Sequence, residues 1–429
     1  MALGLLFALL FKGYFPPAFA QEPTAPPPEE EQSISREELA AGDAQVQRIA
    51  GDARLDLGQK LDRVLESYAT MGASIAVIHN GEIAFTHVYG LRQKDGEPVT
   101  QDTAFQVGSI SKMVAGMGLM QLVEEGRISL DQDLGDILGF PLRNPQYPHV
   151  PITLRQVMSH TAGLRDSGFY RDALSGQGLP LPELFSGKRL GHVFLADFEP
   201  GARQQYSNFG GGLAGVLIEI LTGQTLDASL KERLFEPLGI TAGYQASLLP
   251  KDLPLADLYA MPGQRCTKVL REDPTHVLTP TPQVDYYFTA GKLIISAPDL
   301  AKLLIVLCDG GIYQNTRLLK ESTVAEMRTP QNFRFSVHCE SGRGLYMNII
   351  TDDQVQGRTL YGHGGKAYGM LCAAYFDPAD RTGVVMLTNG CNNRKVYHEV
   401  GMLGRAVMYL CYRELLNPAG VREDPFLVE

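Results

Sequence analysis

The sequence Gly108-Ser109-Ile110-Ser111-Lys112 places a hydroxyl and an amine three residues apart, where a predicted helix begins. Side chains at positions i and i+3 share one face of a helix, so Lys112 can reach the oxygen of Ser109. A serine is a poor nucleophile near neutral pH and needs an adjacent base, which a lysine removed from water can supply. The N–H groups at a helix N-terminus favour a developing oxyanion. The stretch therefore predicts a serine-x-x-lysine acyl-enzyme motif.

The composition is typical of a globular protein. The 429 residues are 44% hydrophobic and 20% charged, with a net charge of −10, and they suffice for one large domain or two lobes. No run of lysine and arginine occurs, so nucleic acid is not an expected partner. The six cysteines form no C-x-x-C pair, and the pattern leaves open whether they form disulfides or buried free thiols. With no H-E-x-x-H motif and no phosphate loop, we expect neither a metal nor a cofactor.

The N-terminus has the pattern of an export signal. Residues 1–11 form an apolar run of signal-peptide length, too short to span a bilayer, and Ala18-Phe19-Ala20 offers a cleavage pattern. Lys12 follows the run instead of preceding it, so a buried apolar segment or an upstream start are alternatives. We expect residues 1–20 to be a signal peptide and 21–50 to be a tether followed by a helix. The mature chain is then secreted or held in the cell envelope, without a transmembrane helix.

Strand patterns occur near both ends of the chain and helical patterns lie between them. Asn80-Gly81 separates two strand-like runs, 73–79 and 82–89, and is a strong hairpin signal. Further strands are predicted over 345–350, 359–361, 370–376 and 383–387, and helices over 35–50, 55–70, 112–125, 130–138, 230–238, 297–307, 396–415 and within 201–222. The economical fold class is α+β. It combines one antiparallel sheet flanked by helices with a mainly helical lobe at about 131–285, and a cleft between them.

A second candidate motif is Tyr206-Ser207-Asn208. The Tyr-x-Asn pattern occurs three times, at Tyr206, Tyr313 and Tyr346. Tyr313 follows a Gly-Gly turn, and packing on one strand face explains Tyr346 and its asparagine. Only Tyr206 lies in a loop that enters a glycine-rich helix start. A tyrosine near a cation loses its proton more easily and can act as a base, and Asn208 can bind Lys112 and a substrate amide.

A third candidate is Gly362-His363-Gly364-Gly365. His363 can offer a positive or donating group, and the glycines allow a substrate to approach the backbone closely. An isolated histidine is more often structural. A triad of Ser159, His160 and Asp166 is a weaker alternative, because neighbours in one short loop rarely align for catalysis. Structural hydrogen bonding is the better interpretation of those three residues.

In this order the three motifs resemble those of the penicillin-recognising serine hydrolases, which include class C β-lactamases, D-alanyl-D-alanine carboxypeptidases, D-aminopeptidases and related esterases. The resemblance covers roughly residues 55–415 and implies a β-lactamase/transpeptidase-like fold, with the hydrolase domain at 51–420. It implies that Ser109 attacks a carbonyl and forms an acyl-enzyme. Lys112 and Tyr206 would share its proton and pass it to the leaving group. Asn208 would orient both the substrate and Lys112.

The resemblance also implies that His363, Gly364 and Gly365 contact the substrate. The backbone N–H groups of Ser109 and Lys366 would form the oxyanion hole. The expected substrate is a small molecule or peptide with an amide or ester bond, including peptidoglycan-derived ones. The alternative is a non-catalytic sensor or cell-wall-binding module that keeps the pocket without turnover.

One departure from the family pattern concerns the substrate. His363 stands where lysine is common, and Gly364 stands where a hydroxyl residue helps to hold a substrate carboxylate. Because a neutral imidazole binds an anion less well than an ammonium does, we expect weak binding of carboxylates, penicillins among them. A peptidase or esterase is therefore a better expectation than an efficient β-lactamase.

Overall fold

An eight-stranded sheet joins strands from both ends of the chain. The computed structural model describes residues 32–33, 35–94, 96–166, 181–186, 193–260, 267–269, 278, 288–331, 342–351, 355, 357–392, 395–396 and 400–416. The strands are β1 (Gln32–Ser33), β2 (Gly72–His79), β3 (Glu82–Gln93), β4 (Glu97–Pro98), β5 (Ala104–Gln106), β6 (Leu258–Ala260), β7 (Thr267–Val269), β8 (Ile294–Ser296), β9 (Ile312–Tyr313), β10 (Thr316–Arg317), β11 (Gly342–Arg343), β12 (Asn348–Thr351), β13 (Thr359–Ala367), β14 (Met370–Asp377), β15 (Thr382–Thr388) and β16 (Lys395–Val396).

The helices lie between and around these strands. The α-helices are α1 (Arg36–Ala50), α2 (Leu57–Ser67), α3 (Ile110–Glu124), α4 (Leu134–Leu138), α5 (Leu154–Met158), α6 (Leu181–Leu184), α7 (Asn208–Thr222), α8 (Leu226–Leu230), α9 (Ala297–Cys308), α10 (Glu321–Arg328) and α11 (Gly401–Cys411). Three π-helical turns cover Lys231–Phe235, Phe288–Lys292 and Tyr412–Leu416, and two 3₁₀ turns cover Glu236–Leu238 and Ala246–Leu248.

The sheet order is β11-β12-β13-β14-β15-β2-β3-β4, and every neighbouring pair is antiparallel. β15 pairs directly with β2, with Met386 opposite Ile75, so the late strands continue the sheet that the early hairpin begins. This arrangement confirms the predicted α+β fold class. The hairpin is also confirmed: Asn80 and Gly81 have φ of 55° and 76°, as a tight two-residue turn requires.

Helices cover both faces of the sheet. Successive residues of β2 alternate between two cores, with Ala76 and Ile78 in one and Ile75 and Val77 in the other. The first core includes buried residues of α3, α7 and α9, and the second those of α2 and α11. The two-residue period of a strand produces this division, because neighbouring side chains point to opposite faces. The first core carries the helices of the candidate site.

Several predicted elements differ in the structure. The helix predicted over 396–415 begins only at Gly401, and Val396 lies in β16; the helix predicted over 130–138 begins at Leu134. The strand predicted at 345–350 begins only at Asn348, because Tyr346 has a φ of 51°, which an extended strand does not allow. β13 extends beyond the predicted 359–361 to Ala367, so the third motif lies within a strand. The helix predicted over 230–238 ends at Leu230 and continues as π and 3₁₀ turns, with Pro237 in the 3₁₀ turn.

Four cysteines lie in the described part of the chain. Cys308, Cys372, Cys391 and Cys411 are buried free thiols, and burial raises the pKa of each to about 12. The other two cysteines, the predicted signal peptide of residues 1–20 and most of the predicted tether lie outside the described residues.

Within the described ranges, no three histidine, cysteine or acidic side chains are grouped so that they could hold a metal ion. In the same part of the chain, no single helix is long and apolar enough to cross a membrane. One pair of helical segments, Asn208–Thr222 with Leu226–Leu238, reaches the length and composition only when taken together, and it is bent by 78°.

Candidate active site

Ser109 lies at the N-terminus of α3. Gly108, just before it, has a φ of 56°, a conformation that favours glycine and turns the chain sharply into the helix. Ser109 occupies the N-cap position, but its side chain makes no capping hydrogen bond. The residue is half-buried, so its hydroxyl is not committed to the helix and remains within reach of a substrate.

The Lys112 side chain is fully buried one turn further along α3. Its Nζ donates to Ser109 Oγ at 3.1 Å, to Asn208 Oδ1 at 2.9 Å and to the backbone oxygen of Ala290 at 2.7 Å. An ammonium can donate to all three of these acceptors. They also suit the neutral amine, which gives two N–H bonds to Asn208 and Ala290 and accepts the hydroxyl proton of Ser109. The contacts therefore fit both protonation states that a base passes through.

Asn208 is the first residue of α7. Ser207 caps this helix, and its Oγ accepts from the backbone N–H of Gly210 at 3.0 Å. The Nδ2 of Asn208 donates to Asp166 Oδ2 at 2.9 Å, while its Oδ1 faces Lys112. The structure thus brings Asn208 to Ser109 and Lys112, although Lys112 and Asn208 are 96 residues apart in sequence.

Tyr206 lies beside two cations and two histidines. The Nζ of Lys112 is 5.0 Å from the centre of the phenol ring, and the guanidinium carbon of Arg343 is 5.6 Å from it. The rings of His160 and His363 have centroids 4.4 Å and 6.3 Å from that of Tyr206. Such cation–ring distances are attractive contacts, so Tyr206 is held between the lysine and the histidine motif.

Both histidines of the site are buried and neutral near pH 7. Burial, followed by the nearby charges of Arg343 and Lys112, lowers the pKa of His363 to about 3. The same causes, and His363 itself, hold the pKa of His160 well below its ordinary value. His160 Nδ1 accepts from the backbone N–H of Ser207 at 3.2 Å.

The tautomer of His363 follows from its backbone contact. Its Nδ1 lies 2.6 Å from the backbone oxygen of Gly364, and a carbonyl oxygen can only accept, so Nδ1 carries the proton. Nε2 is then a lone-pair acceptor. It is buried and has no hydrogen-bond partner among the described residues.

Strand β13 lies against the segment that leads into Ser109. A β-carbon on Gly365 would lie 2.0 Å from the backbone oxygen of Val107, and one on Gly108 would lie 3.0 Å from the backbone nitrogen of Lys366. Only residues without a β-carbon permit this approach. The close contact brings the backbone nitrogens of Ser109 and Lys366, the predicted oxyanion-hole donors, into one region.

The sequence motifs do not include every residue at the site. Arg343 is buried, donates to Asn348 Oδ1, and contributes charge to both histidines. Asn348 Nδ2 in turn donates to Tyr375 Oη at 3.0 Å.

The third Tyr-x-Asn pattern, which the sequence explains by packing on a strand face, also belongs to the surroundings of the site. The structure places the Tyr346 ring 5.5 Å from that of His160, with its hydroxyl donating to the backbone oxygen of Gly210 at 2.9 Å. The Tyr-x-Asn pattern alone does not identify Tyr346 as a residue near the site, because Tyr313 carries the same pattern in β9. The loop after Leu164 and the segment 251–287 lie largely outside the described residues.

The chain is similar to known proteins over most of its length. Residues 57–402 match the beta-lactamase family. Penicillin-binding protein 4 of Amycolatopsis lactamdurans is 27% identical over 341 residues, covering 77% of this chain and 84% of that protein. The D-aminopeptidase of Brucella anthropi is 26% identical over 329 residues, covering 76% of this chain and 57% of that protein.

Among solved structures, the octameric penicillin-binding protein homologue from Pyrococcus abyssi superposes with a TM-score of 0.66 at 23% identity, covering 86% of this chain and 79% of that one. At this identity the likeness shows the fold alone. The family match covers most of the sequence and includes all three motifs. The chain therefore belongs to the beta-lactamase family of hydrolases.

Proposed function

We propose that this chain is a serine hydrolase that cleaves an amide or ester through an acyl-enzyme on Ser109. The observation that carries the proposal is the contact of 3.1 Å between Lys112 Nζ and Ser109 Oγ, with Asn208 and Ala290 accepting from the same amine. A buried neutral amine that donates its two N–H groups to Asn208 and Ala290 directs its lone pair at the hydroxyl of Ser109 and can take the proton from it.

In this mechanism Ser109 Oγ forms a bond to the substrate carbonyl carbon while its proton passes to Lys112 and Tyr206. The backbone N–H groups of Ser109 and Lys366 stabilise the oxyanion. The intermediate collapses, the bond to the leaving group breaks, and the shared proton moves to the departing nitrogen or oxygen. Water then attacks the ester on Ser109 and releases the acid, which restores the hydroxyl.

The neutral state of His363 supports a substrate without a carboxylate at that position. Nε2 of His363 offers a lone pair, which repels an anion and accepts an N–H or O–H group. We therefore propose amides and esters of D-amino acids, or short-chain esters, ahead of β-lactams. The similarity to a D-aminopeptidase supports this order.

We also propose that the protein acts outside the cytoplasm, secreted or in the cell envelope. The apolar run of residues 1–11 and the cleavage pattern Ala18-Phe19-Ala20 support this location. Peptides derived from peptidoglycan are then available as substrates, and neither a cofactor nor nucleic acid takes part in the proposed reaction.

Covalent labelling with a fluorophosphonate tests the nucleophile. We expect labelling of the wild type and its loss in Ser109→Ala. Ser111→Ala is the matched control, since Ser111 Oγ is buried and bonded to Gly108 and Leu293 at the same helix start, and it should keep the label. Labelling that persists in Ser109→Ala would disprove the assignment.

A substrate panel tests the chemistry. It comprises D-amino-acid amides, D-Ala-D-Ala peptides, cephalosporins and short-chain esters, scored by acyl-enzyme mass and turnover. We expect turnover of amides or esters and slow reaction with cephalosporins. Fast, saturable β-lactam turnover would reverse the order, and labelling without turnover of any substrate would favour the non-catalytic sensor or binding module.

A further inference from the structure

We propose that Asp166 is a positioning residue for acylation: it fixes the side-chain amide of Asn208 so that the amide oxygen faces Lys112. This inference rests on the proposed function and concerns a residue outside the three motifs.

The carboxylate of Asp166 lies across the start of α7. Its Oδ2 accepts from the backbone N–H and from Nδ2 of Asn208, each at 2.9 Å. Its Oδ1 accepts from the backbone N–H of Phe209 at 2.9 Å and from Ser207 Oγ at 3.2 Å. An ionised carboxylate has no proton to donate, so the Asn208 amide must present its nitrogen to Asp166.

The opposite end of the same amide is therefore fixed as an acceptor. Asn208 Oδ1 lies 2.9 Å from Lys112 Nζ, and the backbone oxygen of Ala290 is a second acceptor at 2.7 Å. In the neutral amine these two oxygens take the two N–H bonds, and the lone pair is directed to Ser109. A reversed Asn208 amide would instead point an N–H group at Lys112 and compete with Ser109 for that lone pair.

Helix capping alone does not explain these contacts. Ser207 already caps α7 through the backbone N–H of Gly210. Asp166 comes from a separate loop, is exposed, and adds a bond to the Asn208 side chain that capping does not require. A carboxylate near a helix N-terminus also stabilises the helix, so the test must separate this effect from positioning.

Three other charged or titratable side chains near Lys112 are positive or neutral. Arg343 lies against the same Tyr206 ring as Lys112, and His160 and His363 are neutral near pH 7. Asp166 acts on Lys112 through the Asn208 amide, which is the contact that the experiment alters.

The test is a double-mutant cycle on the full chain, with the maximal rate of fluorophosphonate labelling and the thermal unfolding midpoint as readouts. Asp166→Asn keeps one acceptor oxygen for the helix but presents an amide nitrogen to Asn208. We expect its maximal labelling rate to fall roughly 10- to 100-fold with little change in the half-saturating concentration. The maximal labelling rate of Asn208→Asp should also be low, because this substitution places two carboxylates side by side.

The double variant, Asp166→Asn with Asn208→Asp, exchanges the two groups. The carboxylate introduced at position 208 accepts from Lys112, and the amide introduced at position 166 donates to that carboxylate. We expect this variant to label at least about fivefold faster than the product of the two single losses predicts. Asp102→Asn, at an exposed turn before β5, should label like the wild type.

A maximal labelling rate of Asp166→Asn within twofold of the wild-type rate would overturn the inference. A rate of the double variant equal to the one that the product of the two single losses predicts would also overturn it. A drop in the unfolding midpoint without a drop in rate would show a capping role only. Absence of labelling in the wild type would overturn the proposed function itself, which makes the two failures distinguishable.

Discussion

The side chain of Lys112 occupies the space that a β-carbon on Gly211 would need. Such an atom would lie 2.4 Å from Lys112 Cε and 3.0 Å from its Cδ. The lack of a side chain at Gly211 therefore leaves the space through which the side chain of Lys112 extends to Ser109.

Gly211→Ala should displace the lysine and lower the labelling rate by about 100-fold, because small misplacements of a reacting group have large effects. Gly210→Ala is the matched control, since its β-carbon would meet nothing closer than 3.7 Å. That substitution should keep the rate and stabilise the helix by about 0.5–1 kcal/mol. The labelling rates and unfolding midpoints of both variants test this prediction. Equal labelling rates for Gly211→Ala and Gly210→Ala would contradict it.

The buried histidines should make the fold sensitive to acid. Between pH 6.5 and about 3 the unfolded chain binds a proton at His363 that the native chain does not, so the free energy of unfolding falls as pH falls. The expected loss is about 1.4 kcal/mol per pH unit for His363, and His160 acts in the same direction. The full stability is present above pH 6.5.

Urea unfolding between pH 7 and pH 5 measures this slope. His363→Gln should reduce the slope by about one proton. A slope that is the same in wild type and His363→Gln would show that another group causes the acid sensitivity.

Arg343 should govern the titration of both histidines. Its charge is the largest contribution after burial to the lowered pKa of His160 and of His363. Arg343→Met removes this cation and should raise both pKa values, while burial keeps them below the ordinary 6.5. Arg343→Lys retains a charge and should shift them less. Histidine carbon and proton NMR titrations measure the change, and unchanged or lower values in Arg343→Met would refute the prediction.

A buried ion pair links α1 to α11. Nε and Nη2 of Arg405 each lie 3.3 Å from an oxygen of Asp43, and both side chains are almost fully buried. Asp43→Ala should cost about 3–5 kcal/mol, because it removes the carboxylate facing a buried guanidinium. Asp43→Leu combined with Arg405→Met should recover most of that loss.

The control for this pair is Glu66→Ala, which breaks the exposed contact of Arg63 with Glu66 at 3.8 Å. It should change the free energy of unfolding by less than about 1 kcal/mol. Urea unfolding compares all three variants, and equal losses for Asp43→Ala and Glu66→Ala would contradict a dominant role for the buried pair.

The sequence predicts the parts of the fold and site that depend on local pattern. The hairpin at Asn80, the helix starting at Ser109 and the α+β order follow from turn residues and periodicity. The roles of Asp166, Ala290 and Arg343 do not, because tertiary packing alone brings these residues to Asn208, Lys112 and Tyr206. The backbone oxygen of Ala290 has no sequence signature at all.

The positive φ of Tyr346 is equally hidden in the sequence, since residues 345–350 form a mostly apolar run that is typical of a buried strand. Only the packed structure shows that its ring is held near His160 and its hydroxyl at the start of α7.

The contact of Lys112 with the main chain at Ala290 limits how this site can vary. A point substitution at position 290 keeps the carbonyl, so the acceptor survives exchange of the side chain. Its position changes only when the path of the backbone changes. One of the acceptors of Lys112 is therefore supplied by an atom that every residue type carries, so exchange of the side chain at position 290 does not remove it.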